Sequence, residues 1–326
     1  MATAKEKKIS TYTNPVFAEN FADPTVIKVG NWYFAYATQS RIDGKTQNIQ
    51  CIKSKDLVNW QRVGDALPQK PDWAENHFWA PHVIQDRENK KFYMYFSGES
   101  KDENIGKCLG VAVADSPEGP FIDKGEPLKC GKSYINIDPI AFDHEGKKYL
   151  YWGSGHKPIK VKELTADRLN FKDDSKSVDV IFPIPDKEYA KLAEGAWIIE
   201  KDAYFYMFYS GENCCGENAH YAVMVARAQS PLGPFTTLGD ANGTGNSVIL
   251  ELNKTWKAPG HNSIIKDEAG EHWMLYHAIY DGQDSTKMAN IKGRVMLIDK
   301  LQWKDGWPYI AGNAPSTTPQ QSPILK

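Results

Sequence analysis

The sequence predicts an all-β chain folded as a five-bladed β-propeller, and three observations carry that expectation. One plan recurs five times: a polar or small residue opens a short apolar run, a polar turn follows, and an aromatic strand ends in small residues. The copies begin Asp23-Pro24-Thr25-Val26-Ile27, Ala80-Pro81-His82-Val83-Ile84, Asp138-Pro139-Ile140-Ala141-Phe142, Glu194-Gly195-Ala196-Trp197-Ile198 and His261-Asn262-Ser263-Ile264-Ile265. The openers stand at 23, 80, 138, 194 and 261, at intervals of 57, 58, 56 and 67. A period this regular, built from short β-rich runs, marks radial repetition. A second echo lies at the same distance behind two of the openers, where residues 111–121, VAVADSPEGPF, return at 225–235 as VARAQSPLGPF.

The elements follow in chain order. Residues 1–13 are charged or polar and without period, which reads as a disordered or extended N-terminal arm. The propeller occupies 14–312. In its first unit Asp23-Pro24 marks a strand entrance, because proline has no N–H and is tolerated at a strand's first position. Residues 25–29, a Gly30-Asn31 turn and residues 32–38 then form a hairpin, with 54–60 outside it. The second unit begins at Trp79-Ala80, turns at 86–90 and runs through 92–98 to Gly119-Pro120. The third turns at 143–146, and its polar stretch 164–177 reads as a short helix or a long loop. The fourth turns at Lys201-Asp202 and carries Cys214-Cys215 in a loop rich in glycine and asparagine. The fifth turns at 267–270 and ends with 293–299 and 303–308. Residues 313–326, rich in Pro, Ser, Thr and Gln, read as an irregular tail.

Bulk properties narrow the function. A chain of 326 residues, 41% hydrophobic, can bury a large core, and a repeat running almost end to end makes it one domain. A net charge of −2 with interspersed signs leaves no electrostatic footprint for nucleic acid or an anionic membrane. Ten Trp and sixteen Tyr must in large part serve the strands, and a surplus near a cleft would suit the apolar faces of sugar rings. No run approaches the ~18 apolar residues of a membrane span. Residues 1–8 lack an apolar signal core, so the expectation is either a cytoplasmic protein or an exported one whose leader has been removed. The five Cys, at 51, 108, 130, 214 and 215, suggest neither a disulfide framework nor a zinc site. Cys214 and Cys215 read as two free thiols or as a strained vicinal disulfide.

The inner strand of each propeller blade lines the central channel, so the openers Asp23, Ala80, Asp138, Glu194 and His261 are expected around one mouth. Three carboxylates there raise one another's pKa at a cost to stability. Glycoside hydrolysis uses such a set, because it needs one protonated and one ionised carboxyl at the same pH.

Several of these segments together, in order, resemble glycoside hydrolase family 43 over roughly residues 14 to 312. They are Asp23-Pro24, Ile137-Asp138-Pro139, Glu194-Gly195 before Trp197, Gly260-His261-Asn262-Ser263, and Gly293-Arg294 followed by Trp303-Lys304-Asp305-Gly306-Trp307-Pro308. The resemblance implies a five-bladed propeller that cleaves arabinofuranosides or xylosides with inversion. It makes Asp23 the general base, Glu194 the general acid, and Asp138 the residue that orients Glu194 and raises its pKa. Inversion implies about 6.5–9.5 Å between the Asp23 and Glu194 carboxyls. Arg294 is expected near the sugar, holding Asp138 ionised, and Phe78, Trp79 and Trp197 are expected as sugar contacts. His261 is expected to reach a calcium ion on the axis; one imidazole is a poor calcium cage, so the ion is expected to be mainly hydrated. The segments at 79–81, 214–215 and 306–308 are similar to those of arabinan-active members. They point to exo-acting release of α-L-arabinofuranosyl units from 1,5-linked arabinan or arabino-oligosaccharides of the plant cell wall. A β-xylosidase or an arabinoxylan arabinofuranohydrolase is the alternative, and a non-catalytic carbohydrate-binding propeller is the rival of another class.

Overall fold

A computed structural model describes residues 10–291 and 293–325. Five antiparallel sheets follow one another along the chain as the blades of a propeller. Blade one is Thr25–Val29, Trp32–Ala37, Gln50–Ser54 and Trp60–Asp65. Blade two is Trp79–Asp86, Lys91–Glu99 and Lys107–Ala114, with the edge pieces Ile122–Asp123 and Lys129–Cys130. Blade three is Ile140–His144, Lys147–Trp152, Ile159–Glu163 and Val178–Ile181. Blade four is Glu194–Lys201, Tyr204–Asn213 and His220–Ala228, edged by Thr236–Thr237 and Val248–Leu250; blade five is Trp256–Lys266, His272–Tyr280 and Arg294–Lys300.

The core is divided as radial packing requires. Each of five apolar clusters lies between two neighbouring blades: Phe34, Tyr36, Val83 and Met94 join blades one and two, and Tyr151, Val161, Met207 and Met224 join three and four. A sheet covered on both faces needs apolar residues without alternation. That is why the second strands read Trp-Tyr-Phe-Ala-Tyr-Ala and Lys-Phe-Tyr-Met-Tyr-Phe rather than apolar–polar. The echoed segments have a shared place too. Tyr36 of blade one donates its hydroxyl to the Pro117 carbonyl of blade two, and Tyr151 of blade three donates to Pro231 of blade four at 2.6 Å.

The ends of the chain are more ordered than their composition suggests. Blade five has three strands of its own, and the start of the chain covers its edge: Val16 and Phe17 donate to the Met296 carbonyl at 3.0 and 3.2 Å, and Met296 donates back to Phe17. Thr11–Tyr12 also pairs with Gln320–Gln321. Of the arm expected to be disordered or extended, Thr11–Tyr12 is an extended strand, and within the tail expected to be irregular Gln320–Gln321 is its strand partner; the rest of the arm, 1–9, lies outside the described residues. The physical cause is the open edge of the last blade, which must be covered for the ring to close. Tyr12 and Asn14 both donate side-chain bonds to the Ile298 carbonyl there. Cysteine pairing needs correction as well. Cys108 and Cys130 face each other in the register of adjacent strands of blade two and form a disulfide, while Cys51, Cys214 and Cys215 are free. Residues 164–177 contain no helix; they form a loop folded over Arg168, which is buried against Asp86 and Asp143. Among the described residues, no helix is long and apolar enough to cross a membrane.

Candidate active site

The blade openers share a conformation that most residues avoid. Asp23, Ala80, Asp138 and His261 have φ of 56°, 45°, 56° and 46°, and the matching residue of blade four is Gly195 at 58°. The repeat position is therefore filled by Gly195, not by Glu194, which corrects the alignment by one residue. Glu194 pairs with Ser210 just as Trp79 pairs with Ser97, and a bulge follows each. A left-handed residue with a side chain costs about 1–3 kcal/mol and persists where its surroundings over-determine it.

Those surroundings form a ring. Each opener's backbone N–H is claimed from the preceding blade: Ala80 by the Thr38 hydroxyl at 2.9 Å, Asp138 by the Ser97 hydroxyl at 3.0 Å, His261 by the Ser210 hydroxyl at 2.8 Å, and Asp23 by His277 Nδ1 at 3.2 Å. Three acceptors are hydroxyl residues near the ends of the aromatic strands, and in blade five the same place is taken by His277. Between blades three and four the pattern breaks. Ser154 donates to Glu194 Oε2 at 2.7 Å, and Asp138 Oδ2 accepts the Gly195 N–H at 3.0 Å. The exception brings the second and third carboxyls together.

The three acids meet at the mouth, in two unlike environments. Asp23 is buried, which works to raise its pKa. The Arg294 guanidinium, whose Nη1 donates to Oδ1 at 2.7 Å, and then His261 and His277 outweigh burial and hold the carboxyl well below the usual range. Thr38 donates to its other oxygen. His277 is fully buried, which brings its pKa down to about 4; neutral, it accepts the Asp23 N–H. Arg294 thus pairs with Asp23, a correction to the expectation that it holds Asp138 ionised.

Among the described residues no Lys or Arg touches Asp138 or Glu194. Burial first, then the Glu194 and Asp23 charges, raise Asp138 well above the usual range. Burial also raises Glu194, against the hydrogen bonds from Ser154 and from the Tyr221 hydroxyl, which donates to Oε1 at 2.8 Å. The pair retains a proton at a pH where Asp23 has lost its own. Tyr221 reaches Glu194 across Gly260, where a Cβ would stand 2.2 Å from its ring. His261 Nδ1 lies 3.5 Å from Asp23 Oδ1 and 3.8 Å from Asp138 Oδ2, so it links the two walls.

The expected sugar contacts divide. Trp79 is half-buried at the mouth, stacked between His77 and Tyr134 at 5.1 and 6.1 Å, with Lys107 Nζ 3.7 Å from its ring centroid. Phe78 is fully buried in the core between blades one and two and has no access to a sugar. That expectation is corrected: its carbonyl accepts from Gln39, and its ring packs edge-on against Phe96. Trp197 lines the axial cavity behind the acids, edge to face with His82 at 5.4 Å, and not the outer mouth.

The same cavity is where an axial ion would sit. Among the described residues no three His, Cys, Asp or Glu side chains are grouped to hold a metal directly. Yet Thr25 Oγ1 and both amide atoms of Asn262 are buried without protein partners, and both residues line the cavity beside His261. Such a set fits a cation that keeps its water shell and does not fit a dry calcium cage of 6–8 oxygens. Thr38, Ser154, Tyr221 and His277 were missed as site residues; Thr38 and His277 share one repeat position near the ends of second strands with Ser97 and Ser210, which was the available signal, and Ser154 stands one residue past the Gly153 that fills it in blade three.

Residues 12–308 match the model of glycosyl hydrolases family 43. The chain is 30% identical to a β-D-galactofuranosidase of Aspergillus niger, over 92% of this chain and 84% of that one. It is 27% identical to an extracellular exo-α-(1→5)-L-arabinofuranosidase of Cellvibrio japonicus, over 88% of this chain and 85% of that one. Among solved structures, a thermostable family-43 glycoside hydrolase superposes with a TM-score of 0.79 at 31% identity, covering 97% of this chain and all of the other.

Proposed function

The chain belongs to glycosyl hydrolases family 43 and is therefore a glycoside hydrolase; from that premise we propose that it cleaves α-L-arabinofuranosyl linkages with inversion, releasing arabinose from the ends of 1,5-linked arabinan or arabino-oligosaccharides. The observation that carries the mechanism is the electrostatic split across the mouth, with a guanidinium on Asp23 and none on Asp138 or Glu194.

Asp23, ionised and fixed by Arg294 and Thr38, takes a proton from the attacking water on one face of the sugar. Glu194, protonated, gives its proton to the leaving oxygen on the other face. Its two oxygens each accept one hydroxyl and keep a further lone-pair site for that proton. Asp138 holds the Gly195 N–H beside the acid and, by its charge, resists loss of the Glu194 proton. Blades one and four are not adjacent in the ring, so the acid and base approach from opposite sides, as inversion requires. A hydrated calcium ion, held through water by His261, Asn262 and Thr25, would add positive charge behind the carboxylates.

Support for a furanoside comes from the two named relatives, both of which act on a sugar held as a five-membered ring. Proton NMR of the first product formed distinguishes inversion from retention, and rates on nitrophenyl arabinofuranoside, galactofuranoside and xyloside and on linear arabinan identify the sugar. An inverted anomer and preference for the arabinofuranoside are expected. A preference for the xyloside would sink the arabinan reading and favour a β-xylosidase; a retained anomer would sink the roles of Asp23 and Glu194.

A further inference from the structure

Cys214 and Cys215 are the two free thiols with solvent access, and no step of hydrolysis uses them. They sit in the connection between Tyr204–Asn213 and His220–Ala228, immediately beyond the pairs Asn213 with His220 and Glu212 with Tyr221. Tyr221 is the residue that holds Glu194. The connection is folded back on itself by Asn213 Nδ2 donating to Asn218 and by Ala219 donating to Gly216. Glu194 pairs with Ser210, three residues before the last paired residue Asn213, so the connection extends from the end of blade four that carries the carboxyls.

The two thiols are unequal. A hydrogen bond from Cys214, aided by Arg294 and opposed by partial burial, brings Cys215 down to about 7, whereas the same bond and burial push Cys214 up. The thiolate is the attacking species in thiol–disulfide exchange. Cys51 is buried between blades one and two with its thiol pushed up by burial, and Cys108 is bonded to Cys130, so selectivity for Cys215 follows.

We propose that Cys214 and Cys215 form a thiol-modification site on the rim of the sugar pocket, open to low-molecular-weight disulfides of the glutathione class, and that its occupation obstructs sugar entry. The second half of this statement rests on the function proposed above. In the first step the Cys215 thiolate attacks one sulfur of oxidised glutathione; a protein–glutathione disulfide forms, the glutathione S–S bond breaks, and one glutathione thiolate leaves. In the second, Cys214 loses its proton to solvent and attacks Cys215 Sγ, expelling the second glutathione thiolate and closing a vicinal disulfide. Two protein thiols are oxidised and one glutathione disulfide is reduced to two glutathiones, which take up the two protons. Neighbouring Cα atoms stand about 3.8 Å apart, short of the about 4.4–6.8 Å that disulfides prefer. The ring is strained, and reductant reopens it.

The test treats the purified protein with oxidised glutathione and follows intact mass, together with hydrolysis of whichever glycoside of the panel it cleaves. The Cys214→Ser variant, which cannot expel the adduct, is expected to gain one glutathione at Cys215 and with it to lose most of its hydrolysis, and dithiothreitol restores it. The wild type is expected to lose both thiols and end without glutathione, its hydrolysis recovering as the vicinal disulfide closes. The Cys214→Ser, Cys215→Ser double variant keeps its hydrolysis in oxidant. Cys215 left unmodified in the Cys214→Ser variant, or carrying glutathione there with hydrolysis unchanged, overturns the proposal. Mass needs no substrate, so failure to hydrolyse arabinofuranosides counts against the function and not against the thiol site.

Discussion

The two walls of the funnel carry the same functional group and hold it in opposite charge states. On the blade-one wall, Asp23 meets the Arg294 guanidinium, the Thr38 hydroxyl and two imidazoles. On the facing wall the hydrogen bonds that Asp138 and Glu194 accept come from the neutral donors Gly195, Ser154 and Tyr221. All three carboxyls are desolvated, so burial alone does not separate them. One neighbouring cation decides the matter: it offsets burial for Asp23, and its distance from the other two leaves burial in control. Identical chemistry gives up its proton on one side and keeps one on the other through the placement of a single side chain.

The comparison breaks most severely when either wall loses its titrating group. Asp23→Asn and Glu194→Gln are each expected to lower kcat by about 10²–10⁴. Steady-state rates on two substrates tell them apart. Nitrophenolate leaves without a proton, so Glu194→Gln should spare nitrophenyl glycosides relative to arabino-oligosaccharides, and Asp23→Asn should impair both alike. Removing the cation comes next. Arg294→Met takes the main lowering influence from Asp23, whose pKa should rise, carrying the acidic limb of the kcat/KM profile upward; Arg294→Lys should restore part of the shift. An unmoved acidic limb would contradict the role of the arginine.

Asp138→Asn sharpens the other wall. With the neighbouring charge gone, Glu194 loses its proton more readily, and the basic limb of kcat/KM should move to lower pH. The same variant should be more stable. The folded-state pKa of Asp138 lies above its unfolded value, so stability falls as pH rises from about 4, where the unfolded chain loses this proton, and the loss is complete once pH passes the raised folded value. Urea unfolding at neutral pH should show a gain of about 0.5–2 kcal/mol, vanishing in acid. Tyr221→Phe has the smallest expected effect. Its hydroxyl favours the ionised form of Glu194, so its loss should move the basic limb to slightly higher pH and lower kcat by about tenfold, the scale of a hydrogen bond to a charged group.

Much of this was legible in the sequence for one reason: the propeller repeats, and a repeat turns distant residues into equivalent positions. The openers at 23, 80, 138 and 261 were found that way. Blade four was misaligned by one residue because a carboxylate drew the register to Glu194, although Gly195 occupies the left-handed position that the other blades fill with Asp, Ala and His. Glycine there was the clue. Contacts between blades were not legible. Arg294 lies 271 residues from Asp23, and nothing periodic says that the last strand of the last blade turns its guanidinium to the first opener. Phe78 and Trp79 are neighbours in sequence, but one faces the core between blades and the other the mouth; an aromatic pair gives no sign of which is which. Cys108 and Cys130 are joined by strand register, which spacing does not reveal.

The split between the walls is tested most directly by carbon-13 NMR of labelled aspartate and glutamate carboxyls across a pH titration, with Asp23→Asn and Glu194→Gln to assign the signals. The account predicts that Asp23 stays ionised down to a pH below the ordinary carboxyl range of about 4, while the Asp138–Glu194 pair holds one proton well above it. Three carboxyls titrating together near that value, or a proton held on Asp23 after the other two have lost theirs, would contradict it.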